Sequence, residues 1–148
     1  MEDITDSVVV KAPAEWVWKA IQDPKQHAEW HPLVTAINGD HAPGATRVCT
    51  VRTGKKSGTT EETCSSYDEG RKIMWTIERD SSGFSRMVSD WSAGFSLEPQ
   101  GESTLVTAKS VFRPRRFFVR VMMPMIRRKF HGAQRDILAG LKRHVEAK

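Results

Sequence analysis

The chain is short of cysteine, contains no long apolar run and gathers no obvious metal ligands. Each shortage removes a class of protein. Two cysteines in 148 residues, Cys49 and Cys64, cannot build a disulfide framework. Reduced thiols are the expectation, although the two flank a hairpin and could be strand neighbours. The five histidines, at 27, 31, 41, 131 and 144, do not combine with the cysteines at zinc-ligand spacing. No metal and no cofactor is expected. The longest apolar stretch, Phe117 to Ile126, is broken by Arg120 and Pro124 and reaches about half a membrane span. The opening Met1-Glu2-Asp3-Ile4-Thr5-Asp6 is acidic and lacks the basic and apolar regions of a secretory leader, so the expected compartment is the cytoplasm.

What is present describes a folded domain. Hydrophobic residues make up 39% and charged residues 28%, a globular composition, and the length suits one domain over residues 1–148. The net charge of +5 hides an asymmetry. Residues 1–112 carry 12 Lys/Arg against 16 Asp/Glu, whereas residues 113–148 carry 11 Lys/Arg and only Asp136 and Glu146. A basic segment on an acidic body can meet phosphates or an anionic membrane, or lean on the body's own carboxylates.

Hydrophobic pattern and turn signals give the element order. Ile4 to Val10 is β-branched and stops at Lys11-Ala12-Pro13, a strand followed by a helix start. Trp16, Val17, Ala20 and Ile21 supply a helical face that Asp23-Pro24 ends, with a short further helix over Lys25 to Trp30. Leu33 to Ile37 reads as a strand. Turn signals at Pro43-Gly44, Gly54 to Gly58, Asp68 to Gly70, Ser81 to Gly83 and Pro99 to Gly101 then separate five segments. These are Arg47 to Thr53, Thr59 to Tyr67, Lys72 to Arg79, Phe84 to Leu97 and Thr104 to Phe112, a spacing of antiparallel hairpins and not of βαβ units. A long helix is expected after Arg113-Pro114, interrupted near Met123 by Pro124. Such a sheet buries its concave face by curling around that helix.

Several local patterns, weak singly, occur together in order. They are Val8 to Trp18 with its Lys11-Ala12-Pro13 turn, Asp23 followed by Glu29-Trp30-His31-Pro32, and Gly44-Ala45-Thr46-Arg47. Tyr67 to Ile73 and Phe95-Ser96-Leu97-Glu98-Pro99 complete the set. In these the sequence resembles the START-like superfamily, specifically the bacterial polyketide cyclase/dehydrase and lipid-transport branch also called SRPBCC. The resemblance covers nearly the whole chain. It implies an α+β helix-grip fold, a curved antiparallel sheet of about seven strands around a long C-terminal helix, with a cavity for a hydrophobic ligand. It does not fix activity.

Alternation selects the residues expected at such a cavity. From the strands these are Cys49, Val51, Cys64, Trp75, Ile77, Met87, Trp91, Phe95 and Val106; from the helices, Trp30, His31, Phe117, Val121, Met122 and Met125. His31 and Glu62 are the candidates for proton transfer, although adjacent Glu61 and Glu62 leave the register of that strand open and favour a solvated Glu62. Arg116, Arg120 and Arg127 fall on one helical face that could touch an anionic membrane. The Trp residues form no aromatic-basic platform for nucleic acid.

The leading expectation is a carrier, sensor or sequestering module for a small hydrophobic molecule such as a lipid, steroid or polyketide. The alternative is a cyclase or dehydratase in which His31 or Glu62 moves a proton. A third is a protein-interaction module using the basic helix.

Overall fold

Pro13 sits extended ahead of Ala14 and cannot donate a backbone hydrogen bond, so it opens a helix without losing one. The computed structural model describes residues 1–148. The elements are β1 (Glu2–Val10), α1 (Ala14–Gln22), α2 (Pro24–Trp30), β2 (Val34–Gly39), β3 (Thr46–Thr53), β4 (Lys56–Asp68), β5 (Lys72–Asp80), β6 (Val88–Gln100), β7 (Ser103–Pro114), α3 (Phe117–Val121) and α4 (Met123–Glu146). Asp23 ends α1 and caps α2, its side chain accepting from the Lys25 amide at 3.1 Å, with Pro24 at the first helical position.

All seven strands form one antiparallel sheet in the order β1-β7-β6-β5-β4-β3-β2. The sheet curls around α4, which packs along β1 and touches β7, α1 and α2. This is the helix-grip arrangement. β7 alternates without a fault: Thr104, Val106, Ala108, Ser110 and Phe112 are buried, and the residues between them are not. Bulges at Glu61/Glu62 and Cys64/Ser66 in β4, and at Ser89/Ser92 in β6, bend the sheet. At the β6 bulge Asp90 takes a positive φ of 54°.

Two expectations shift. The strand expected from Phe84 begins only at Val88, because Gly83, at φ 85°, turns the chain into a 3-10 turn over Phe84–Arg86. The Asp80 carboxylate secures that turn by accepting from the Ser85 amide at 2.9 Å. The C-terminal helix does not begin at Pro114, which still pairs with Val88 in the sheet; helix starts at Phe117. The interruption expected from Pro124 does occur, at Met122, between α3 and α4.

The interior has two cores. The larger, of 17 buried residues, joins α1, α2 and the C-terminal half of α4 to the middle strands through Trp18, Trp30, Trp75, Phe95 and Leu141. The smaller joins Ile4, Val88, Phe112, Val119 and Met123, with Phe84, Met87, Trp91, Ile126 and Phe130 packed against it. α4 approaches α2 so closely that a Cβ on Gly140 would lie 2.7 Å from the Trp30 carbonyl oxygen.

Candidate functional site

Polar chemistry collects at the end of the molecule where α2, β3, β4 and β5 meet. The β3–β4 register sets Arg47 opposite Glu62. Both side chains point inward, 5% and 11% exposed. Arg47 donates to Glu62 Oε1 from Nε at 3.0 Å and from Nη2 at 2.7 Å. Thr60 Oγ1 donates to the other carboxylate oxygen at 2.6 Å. The guanidinium also lies 3.7 Å over the Trp75 ring. Its Nη1 stands 2.7 Å from His41 Nε2; because arginine only donates, that nitrogen accepts and the His41 proton sits on Nδ1.

Three histidines ring this pair and are held neutral. His27 and His41 both place Nδ1 near the Ile21 carbonyl oxygen, at 2.9 and 3.3 Å. Burial pushes the His27 imidazole well below the ordinary histidine range, and the nearby Arg47 charge adds to the shift. The same two causes, in the same order, bring His41 to about 4 and His31 to about 3. His31 Nδ1 accepts from the amides of Leu33 and Val34 at 3.1 and 3.0 Å, so the imidazole braces the turn after α2. Glu62, for which solvent exposure was favoured, instead stands in a buried ion pair. Buried Cys64, two residues further along β4, marks the inward face that Glu62 shares.

Sequence reasoning did not single out His27, His41 or Arg47. One signal was available: Arg47 is two residues before Cys49 and therefore shares its inward face. The two cysteines are free, buried and not cross-strand partners, since Cys49 faces Thr60 and Cys64 faces Trp75. Burial pushes the Cys49 thiol up to about 11 and raises Cys64 as well, which leaves neither as a thiolate nucleophile near neutral pH. No group of three or more His, Cys, Asp or Glu side chains is placed to hold a metal ion.

A groove of about 260 Å³ opens at the opposite end, between the 3-10 turn and the α3–α4 junction. Phe84, Met87, Phe118, Val119, Met122, Met125, Ile126 and Phe130 line it, with Lys129 the one charged member. Phe84 packs edge-on against Trp91 at 5.0 Å and Phe112 at 5.5 Å, so a wall of edge-to-face rings backs the groove. The Trp91 indole N–H is buried without an acceptor, as are those of Trp18 and Trp75. A roomier cleft of about 520 Å³ runs over β2 to β5, but one of its ten lining residues is hydrophobic, Val48, which suits no apolar guest.

The residues expected at a cavity divide between these regions. Met87, Met122 and Met125 line the groove. Trp91 packs behind it. Trp30, Cys64, Trp75, Phe95 and Val106 belong to the larger core, Cys49 and Ile77 are buried, and Val51 is half-buried. Phe117 and Val121, expected to close the cavity, stand outside it at 81% and 63% exposure, because the break at Met122 turns that face of α3 to solvent.

Between the two ends α4 is tied to the sheet by a polar chain. Ser110 Oγ donates to Gln134 Oε1 at 2.7 Å, and Gln134 Nε2 donates to Asp6 Oδ2 at 2.8 Å. His131 and Arg135 reach the same carboxylate at 2.8 and 3.3 Å. Burial alone would raise the Asp6 carboxyl, but the hydrogen bonds from Gln134 and His131, with the His131 and Arg135 charges, outweigh it and leave it below the usual range.

Residues 1–146 match the sequence profile of a family described as polyketide cyclase / dehydrase and lipid transport. No curated protein matches the sequence. Solved structures share the fold at low identity. A START superfamily protein from Mycobacterium smegmatis is similar at 18% identity and a TM-score of 0.79, covering 98% of this chain and 97% of that one. Major latex-like protein 151 from Panax ginseng gives 13% and 0.75, over 99% and 95% of the two chains. Truncated norcoclaurine synthase from Thalictrum flavum gives 15% and 0.75, over 97% and 92%.

Proposed function

This chain belongs to the polyketide cyclase/dehydrase and lipid-transport family, and from that premise we propose that it binds one small hydrophobic molecule in the groove between the 3-10 turn and the α3–α4 junction. The observation that carries the reading is the lining: eight of nine residues are hydrophobic, in a concave space of about 260 Å³. That volume lies just under the ~300–1,000 Å³ of drug-sized sites, so the guest is small, or is one end of a longer chain. Methionines at 87, 122 and 125 adapt to guests of different shape. Burial of apolar surface supplies the affinity, and the sparse polar lining makes the site selective by size more than by hydrogen bonding.

Titration with a fluorescent fatty-acid analogue tests this reading. Saturable binding to the unmodified chain is expected, with affinity lowered at least about tenfold by Met125→Glu, which sets a carboxylate in an apolar lining. Met125 is 45% exposed, so the variant should melt close to the parent. Equal affinity in the two proteins would contradict the proposal.

The second reading is proton-transfer chemistry in a cyclase- or dehydratase-type enzyme. The gathering of three buried or half-buried histidines with lowered pKa values beside the buried Arg47–Glu62 pair favours it, since clustered perturbed histidines mark functional sites. Against it, both oxygens of Glu62 and the Nδ1 of His31 already have partners. Turnover of a polyketide-like substrate that disappears in Glu62→Gln while the fold persists would establish it over the carrier reading.

A further inference from the structure

Beyond ligand binding, we infer that the α3–α4 junction is a docking surface for an anionic lipid bilayer. The first observation is the composition of this segment. No Asp or Glu occurs between Glu102 and Asp136. From Arg115 to Lys129 every residue is Arg, Lys, Phe, Val, Met, Ile or Pro. The segment offers only cations and hydrocarbon, with no carboxylate to repel an anionic headgroup.

The second observation is how the structure sorts the cations. Lys109, Arg113, Arg127 and Arg135 are engaged with Asp3, Asp90, Glu2 and Asp6. Arg127, which the sequence placed with the membrane-facing set, is therefore spent on β1. Arg115, Arg116, Arg120, Arg128 and Lys129 are all exposed and none is in an ion pair. Asp90 on β6 and the acidic edge strand β1 answer Arg113, Arg127 and Arg135, and leave these five cations between Arg115 and Lys129 without a counter-charge.

The third observation is the exposed hydrocarbon among those free cations. Phe117, Phe118, Val121, Met122 and Met125 are between 41% and 81% exposed. Their spacing of one, four, five and eight residues from Phe117 keeps them close along the broken helix. An aromatic and aliphatic cluster ringed by guanidiniums matches the acyl boundary and anionic headgroups of a membrane surface. Phe118, Met122 and Met125 also line the groove, so docking would turn its opening toward lipid. No helix is long and apolar enough to cross the bilayer, so the contact is peripheral.

Flotation of the full chain with two sets of vesicles tests the inference, one of phosphatidylcholine alone and one containing phosphatidylglycerol as a minor component. Binding is expected only to the second set, and added salt should release it. Each cation near an anionic surface is worth about fivefold in partitioning, so Arg116→Glu with Arg120→Glu should weaken binding by at least about a hundredfold. Phe117→Ser with Val121→Ser should weaken it about tenfold at unchanged charge. All four positions are exposed and lie outside the groove, so these variants should melt like the parent and bind the fatty-acid analogue as well as it does. No flotation with either vesicle set, equal binding to both, or indifference to both double variants would overturn the inference, including the case where the surface takes an acidic protein or a second copy of the chain instead. Loss of fatty-acid binding in Met125→Glu alone bears on the groove, not on the membrane contact.

Discussion

The two ends of the interior solve opposite problems. At the α2–β4 end the fold buries a guanidinium, a carboxylate and two imidazoles, and nearly every donor and acceptor among them is matched: Arg47 with Glu62 and His41, Glu62 with Thr60, His27 and His41 with Ile21. At the α3–α4 end there are few polar groups to match, yet hydrophobic side chains remain exposed around an open groove. The polar end is costly to assemble and tolerates no missing member. The apolar end is cheap to rearrange and has surface left to cover. Under the proposed function, rigidity belongs to the first end and ligand binding to the second.

Breaking the polar end should have the largest effect. Arg47→Met leaves Glu62 buried without its cation and should cost about 3–5 kcal/mol in urea unfolding, whereas Met125→Ser at the other end should cost under about 1 kcal/mol. Near-equal costs would dissolve the contrast. Acid should reproduce the asymmetry. His27, His31 and His41 have pKa values lowered by folding, the latter two to about 3 and about 4. The unfolded chain takes up those protons near pH 6.5, so it binds more protons than the folded chain below that point. Stability is thus full above about pH 6.5 and is lost as pH falls toward 4, by up to ~1.4 kcal/mol per pH unit for each histidine. A flat pH profile over that interval, measured by thermal melting, would contradict the neutral assignment.

A smaller effect is expected at the helix contact that closes the polar end. Gly140→Ala would normally stabilise a helix, yet its Cβ would press on the Trp30 carbonyl at 2.7 Å. A net loss of about 1–3 kcal/mol is expected, and a gain in melting temperature would show that α4 can slide away from α2.

How much of this was legible in the sequence follows the same division. Elements set by local signals were readable: the Pro13 helix start, the alternation of β7, the turns between strands, and the break before Pro124. The apolar lining was partly readable, because Met87, Met122 and Met125 carry their own hydrophobic signal. The polar end was not. Glu62 next to Glu61 gives no hint of which faces inward, and Arg47, although it shares the face of Cys49, shows no partner for its charge until β3 and β4 are paired. Its burial depends on Glu62 lying opposite, fifteen residues away, which is information held in the register and not in either segment. The positive φ at Gly83 that delays β6 was equally silent, since Ser82-Gly83 marks a turn without saying how far it extends.

The most direct test of the division uses the methionine methyl groups as reporters in an NMR titration with the fatty-acid analogue. Met87, Met122 and Met125 line the groove, while Met74 is buried on β5 beside Gly94. Saturable shifts at the three groove methyls, with Met74 and the Trp75 indole N–H unmoved, are the predicted result. Shifts at the Trp75 indole N–H and Met74 with the groove methyls unchanged would place the ligand in the polar end and contradict the account.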